Sequence, residues 1–278
     1  MPNDPIELLC RIERYYDAAP RLRTREEAVG PLSLFLNDGA GWPYYARPRL
    51  GHEGPITATD VTMARDRQRR LGVPQVFEWV QELEPTLRLA AVSAGLVCRH
   101  HPLLALDASW PWSGCPVPAG VELRAVGPRP EDLRLALAVA QLGFAHLGTG
   151  AGEVGREALL RCAGTYPQDY LRAHCARQRT GEVVTIAAYE DRLPLAVGSL
   201  QPVNGTGEIV AVATLPSERR RGLGTAVTSR LVGISRRLRV GLVFLSAMDE
   251  EVARIYERIG FRRLGTSVIA DSGPPAPL

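Results

Sequence analysis

Apolar side chains at Leu223, Val227, Leu231, Ile234 and Leu238 recur in steps of four, four, three and four, which is one face of a helix. The apolar run 207–214 ahead of them reads as a strand stopped by Pro216. Downstream, 242–246 reads as a buried strand and 249–259 as a helix with Val252, Ile255 and Ile259 inward, ended by Gly260. Upstream, strands are predicted at 121–124, 183–189 and 193–200, and helices at 130–147 and, more polar, at 164–179. Asn204-Gly205 between the strands at 193–200 and 207–214 is a hairpin signal. The first hundred residues carry a fainter version of the same order. A helix through Val61, Ala64, Gln68 and Leu71 ends at Gly72, then come a strand at 76–80, a helix at 85–94 and a strand at 97–106. Three prolines and two glycines in 110–120 read as a linker between the halves.

The junction at 215–226 narrows the chemistry. In Arg219-Arg220-Arg221-Gly222-Leu223-Gly224-Thr225-Ala226, two glycines remove side chains where loop becomes helix, so backbone N–H groups can converge on a phosphate. A P-loop is excluded, because it needs a lysine and the chain has none. A dinucleotide turn is excluded too, because its first glycine position is an arginine here. The pattern Arg219-x-x-Gly222-x-Gly224 resembles the coenzyme A loop of the GNAT N-acetyltransferases. A second GNAT signature, Asn-x-x-Ala-x-x-x-Tyr-x-x-x-Gly-Phe, resembles residues 249–261, with Tyr256, Gly260 and Phe261 in register and Asp249 and Val252 as departures. An ionised Asp249 accepts hydrogen bonds but donates none.

This resemblance implies an α/β (α+β) GNAT fold, a mixed and mostly antiparallel sheet flanked by helices, with a catalytic domain at 121–270. The residues before it (1–109, then the linker 110–120) are expected to form a smaller, degenerate GNAT-like domain, with 271–278 a disordered tail. Asp60 in the loop preceding the first half's helix repels a pyrophosphate, and Ala91 takes the place of Tyr256. That half is expected to bind no cofactor.

The resemblance also implies acetyl-CoA as cosubstrate, held by Val212, Ala213, Thr214, Arg219, Arg220, Arg221, Gly222, Leu223, Gly224, Thr225, Ala226 and Asp249. Tyr256 would protonate the leaving thiolate. Glu208, eleven residues before Arg219, would be the base, with Glu182 and Asp169 as weaker alternatives. Strand alternation puts Glu208 on one face with Val210 and Val212. His146 and His174 fall in helical regions that shape the acceptor pocket in such enzymes, and both read as structural. The implied reaction is acetyl transfer to a primary amine of a small molecule or peptide. A non-catalytic acyl-CoA sensor and a tandem enzyme resembling mycothiol synthase are the alternatives.

Composition changes little. With 45% hydrophobic and 23% charged residues over 278 positions, the chain is ordinary globular material, long enough for two domains. A net charge of +3 does not suggest nucleic acid, and Arg236, Arg237 and Arg239 suit a solvated helix C-terminus. No signal peptide or membrane-length apolar run is visible. Five cysteines, an odd number with no Cys-x-x-Cys pair, point to reduced thiols in a cytoplasm. No His/Cys/Asp cluster has metal spacing, so no metal is expected, and the resemblance implies a bacterial-type protein, a monomer or homodimer.

Overall fold

The structure, a computed structural model, describes residues 4–37, 45–146 and 148–273. In chain order the elements are α1 (Pro5–Arg21), β1 (Thr24–Val29), β2 (Leu32–Asn37), β3 (Arg47–Pro48), α2 (Ala58–Leu71), β4 (Phe77–Val80), α3 (Leu87–Ser93) and β5 (Val97–Asp107). Then follow β6 (Glu122–Ala125), α4 (Pro130–Ala145), α5 (Arg156–Ala163), α6 (Gln168–Arg179), β7 (Val184–Glu190), β8 (Leu193–Val203) and β9 (Thr206–Thr214). The chain closes with α7 (Leu223–Arg237), β10 (Leu242–Ser246), α8 (Glu250–Ile259) and β11 (Arg262–Asp271). The helix α1, the strands β1, β2 and β3 and the short α5 were not expected. The remaining elements fall within a few residues of their predicted positions.

Two compact units result. The first takes the chain up to Leu103, Ser246–Asp249 and the residues from Arg263 on, and the second takes Leu104–Leu245 and Glu250–Arg262. In the first, β1-β2-β3 form an antiparallel sheet, and β4-β11-β5 follow one another in a second sheet. Its core joins Leu32, Leu34, Val61, Phe77, Trp79 and Ala91 with Val268 and Ala270 of β11. In the second unit the order β10-β9-β8-β7-β6 is antiparallel except for the parallel pair β9/β10. Asn204 and Gly205 both take positive φ (48° and 75°), the hairpin turn whose twist matches that of the strands.

Two expected boundaries are corrected. The final strand, assigned to a 121–270 domain, belongs with the first unit, pairing Ser267–Ala270 antiparallel with Val80–Phe77. An alternating strand has the same pattern whichever neighbour it takes, so its sequence does not name its partner. The segment 110–120 is irregular but is no free linker. A side chain at Gly233 of α7 would meet the Trp112 ring at 3.3 Å, and the Cys115 N–H donates to Ser229 Oγ at 2.9 Å. Arg236 donates to the Trp110 carbonyl at 2.8 Å and lies over the Trp112 ring, so it is not the solvated terminus expected. Proline prevents ladder pairing but not packing. The tail residues 274–278 lie outside the described residues. None of the five cysteines is in a disulfide. No helix of the described residues is long and apolar enough to cross a membrane.

Candidate active site

The second unit joins β9 to α7 through a turn at Pro216–Glu218 and a loop in which Arg220 (φ 66°) and Gly222 (φ 76°) are left-handed. Only glycine adopts the Gly222 conformation without steric cost. Gly222 caps α7 with no side-chain hydrogen bond, and no acidic residue occupies the first turn. The first intrahelical bond is Ala226 N–H to the Gly222 carbonyl at 3.0 Å. The N–H groups of Leu223, Gly224 and Thr225 are therefore left without an intrahelical acceptor, at the positive end of the helix.

Strand β9 supplies the second feature. It pairs with β10 only at Thr206, Gly207 and Glu208, whereas on its other side β8 follows it as far as Thr214. Among the described residues the edge away from β8 has no strand partner beyond Glu208, and that edge carries Val212, Ala213 and Thr214. A bulge interrupts β9 at the same level, where Ser199 partners Val210 but Val197 partners Ala213. Ala211 sits in it at φ 55°, an uncommon conformation for a residue with a Cβ.

The bulge overturns the expected alternation. A Cβ on Gly224 would lie 3.5 Å from Thr214 Oγ1 and 3.9 Å from Val212 Cγ1, so Val212 and Thr214 face the start of α7. Val210 and Ala211 instead line a cavity beneath α4 and α6. Gln201, the cross-strand partner of Glu208, lines that cavity, which puts Glu208 on the α4 face with Val210 but not with Val212. On the same face α4 approaches closely, since a Cβ on Gly143 would stand 2.8 Å from Ala213 Cβ.

The three arginines divide their tasks. Arg219 turns its guanidinium to α4, donating to the carbonyls of Gly143 at 2.8 Å, His146 at 2.6 Å and Gly150 at 3.3 Å. Burial lowers its pKa from the ordinary arginine value. It ties α4 to the loop. Arg221 pairs with Glu218 and, at 2.6 Å, with Glu190, which Arg156 also holds. Arg220 is exposed. Of the three side chains expected on the cofactor, the structure leaves Arg220 facing solvent at the loop.

Tyr256 lies on the buried face of α8 with Ala253 and Ile259, 8% exposed, its ring edge-on to Phe261 at 6.2 Å. Burial raises its pKa above the usual tyrosine value, which keeps the hydroxyl protonated. Asp249, immediately before α8, is exposed and groups with the first unit, so it is not among the residues the second unit brings together. Of the weaker alternatives, Asp169 is exposed and paired with Arg172, and Glu182 is paired with Arg177. Among the described residues no cluster of His, Cys, Asp and Glu could hold a metal ion.

The first unit repeats the topology without these features. Ala46 bridges Phe77 in parallel, as β9 does β10, and α2 lies between. The start of α2 is closed by its own side chains, with Thr57 Oγ1 accepting from the Asp60 N–H at 3.3 Å and Asp60 Oδ2 accepting from the Thr57 N–H at 2.8 Å. Arg47 of β3 forms a buried ion pair with Glu78 and stacks on Tyr16 at 3.7 Å. Beside them Glu13 Oε2 is buried without a hydrogen-bond partner, and burial pushes the Glu13 carboxyl up to about 7.

Residues 154–261 match the model of the acetyltransferase (GNAT) family. This stretch is a GNAT acetyltransferase domain. The whole chain is similar in fold to a GCN5-related N-acetyltransferase from Kribbella flavida, at 22% identity and TM-score 0.72, with 96% of each chain covered. A functionally unknown conserved protein from Staphylococcus epidermidis aligns at 13% identity and TM-score 0.56 over 93% of this chain and 95% of that one. A tandem GNAT protein from the clavulanic acid biosynthesis pathway aligns at 18% identity and TM-score 0.55 over 88% and 79%. No curated protein matches the chain. The cosubstrate of the GNAT family is acetyl-CoA, and the open N-terminus of α7 beside the unpaired edge of β9 fits its pyrophosphate and its extended amide arm.

Proposed function

We propose that the chain transfers an acetyl group from acetyl-CoA to a primary amine of a small molecule, with all of the chemistry in the second unit. The observation that carries this reading is the meeting of two unsatisfied backbone surfaces, the first turn of α7 and the outer edge of Val212–Thr214. The N–H groups of Leu223, Gly224 and Thr225 would hold the pyrophosphate, with Arg220 beside them. The β9 edge would pair with the pantetheine arm as an added strand does.

Acetyl-CoA supplies an activated thioester. A backbone N–H of the β9 edge would donate to its carbonyl oxygen and stabilise the charge that develops there. Tyr256 would hold a proton at its hydroxyl for the departing sulfur. Holding the amine in line is the remaining contribution, and a large one. The cavity beside Ala211 gives an acceptor somewhere to sit, which favours an enzyme over a sensor. The test is calorimetric titration with acetyl-CoA followed by an amine screen read by free-thiol release. One site per chain and turnover with a small amine are expected. Absence of acetyl-CoA binding would overturn the reading.

A further inference from the structure

The cavity under α4 and α6 lies wholly within the second unit, at about 120 Å³. Its walls are mostly apolar, with Leu133, Leu137 and Ala140 from α4, Val197 from β8, and Val210 and Ala211 from β9. It meets solvent at Ala211, which is exposed and sits in the bulge next to Val212–Thr214. A cavity of about 150 Å³ accommodates benzene, so this one suits a compact group of about isobutyl to phenyl size. Of the imidazoles in the second unit, His174 is the one that reaches it. His174 Nδ1 lies 3.1 Å from the Tyr170 carbonyl. A carbonyl oxygen only accepts, so Nδ1 carries the proton and Nε2 keeps its lone pair.

We propose that this cavity is the acceptor site, that the acceptor is a primary amine bearing one compact apolar group, and that His174 Nε2 takes the proton from its ammonium. The proposal rests on the acetyl-transfer reading and gives its substrate class and base. The amine nitrogen forms the C–N bond as the C–S bond breaks. Before attack the ammonium gives one proton to His174 Nε2, and Tyr256 gives its hydroxyl proton to the departing sulfur. The second nitrogen proton, lost as the amide forms, restores the Tyr256 hydroxyl through solvent, so that one proton in total leaves by way of His174. Glu208, the base expected from the sequence, does not line this cavity and sits three residues before the bulge, about 10 Å along the strand.

The surroundings keep His174 neutral. Burial is the main cause lowering its pKa, and the Arg177 guanidinium adds to it, while the hydrogen bond to the Tyr170 carbonyl opposes both. Arg177 lies 3.9 Å from Glu182. From β7 and β8 the neighbouring polar groups are the Thr185–Ser199 hydroxyl pair, 2.9 Å apart, and Gln201, and α4 contributes Leu133 and Leu137. A neutral imidazole can accept a proton, whereas a protonated one would repel the ammonium.

The test uses the full chain with acetyl-CoA and three probe amines: benzylamine, isobutylamine and spermidine. Benzylamine and isobutylamine are expected to show kcat/KM at least about tenfold above spermidine. Ala140→Leu should lower benzylamine turnover at least about tenfold with the calorimetric affinity for acetyl-CoA unchanged. Leu137→Ala, which enlarges the cavity, should move the preference toward 2-phenylethylamine. His174→Gln should lower kcat with benzylamine by about 10²–10⁴ near pH 7, less at higher pH where free amine is already present. Intact acetyl-CoA binding with a preference for spermidine, or with rates untouched by these variants, overturns the proposal alone. Loss of acetyl-CoA binding in the parent protein overturns the underlying reading and the proposal together.

Discussion

Two helices in this chain follow a strand and a turn-rich loop, and they begin in opposite ways. α2 starts with a reciprocal pair, Thr57 and Asp60, that occupies its own first N–H groups. α7 starts with Gly222, no capping side chain and no acid in the first turn. A capping side chain is worth about 1 kcal/mol to a helix, so α7 forgoes stability that α2 takes. Giving it up is useful only where an outside anion completes the helix end. Nearly the same topology therefore yields a closed end in the first unit and an open one in the second. The strands ahead differ in the same sense. β9 leaves an edge unpaired beyond Glu208, while beside β3 and β4 the space holds the Arg47–Glu78 ion pair and the Tyr16 ring.

The most damaging way to erase this difference is Gly224→Asp. Its side chain would grow toward Thr214 and Val212, between the open helix end and the β9 edge, and bring a carboxylate beside the cofactor phosphates. Acetyl-CoA affinity should fall by at least about 100-fold in calorimetry, from one site per chain to none, with the thermal melt nearly unchanged. Two sites in the parent protein would break the comparison outright.

Tyr256→Phe keeps the ring that packs on Phe261 and removes only the hydroxyl. It should lower kcat by about 10²–10⁴ with little change in KM, as befits an interaction made only while the thiolate forms. Because burial raises the Tyr256 pKa, the parent enzyme should retain its acid at pH values where an ordinary tyrosine has begun to ionise. A kcat that drops together with a free-tyrosine titration would remove Tyr256 from that role.

In the first unit the sensitive group is Glu13. Its folded-state pKa is raised to about 7, so its contribution is fully present below its unfolded value and lost as pH rises through about 7. Glu13→Gln should raise stability at pH 8 by up to about 3 kcal/mol and flatten the pH dependence of unfolding between about 4.5 and 7. A parent protein whose stability does not decline from pH 5 to 8 while Glu13→Gln gains nothing would contradict the buried carboxyl.

The mildest intervention is Thr57→Ala, which opens the α2 end. A loss of about 1 kcal/mol in chemical denaturation is expected, with acetyl-CoA stoichiometry still one. A second site appearing in that variant would mean that the cap alone separates the two helix ends.

Local features were the ones legible in the sequence. The α7 face, the Asn204-Gly205 turn and the glycines of the loop all follow from spacing within a dozen residues, whereas the inner face read for α8 through Val252 and Ile255 is turned in the structure to Ala253 and Tyr256, with Ile259 in both. What escaped depends on distant partners. The fate of Arg219 is set by the carbonyls of Gly143, His146 and Gly150, at and just beyond the end of α4, 69 to 76 positions earlier. The bulge at Ala211 has no marker, since alanine is an ordinary strand residue and its left-handed backbone shows only in the β8 register. That one residue reversed the facing of Val212 and hid the link between His174 and the end of β9. The prolines of 110–120 announced irregular structure correctly but said nothing of Trp112 lying on α7.

The placement of β11 has a consequence for the order in which the protein comes off the ribosome. Ser267, which pairs with Val80, is made 187 residues after it. At about 5–20 residues per second, β4 (Phe77–Val80) waits roughly 10–40 s for its neighbour. During that interval the first unit, although synthesised first, lacks Val268 and Ala270 from its core. The earlier half of the gene product is thus completed last, and until then its exposed strand edge depends on whatever holds nascent chains apart in the cell.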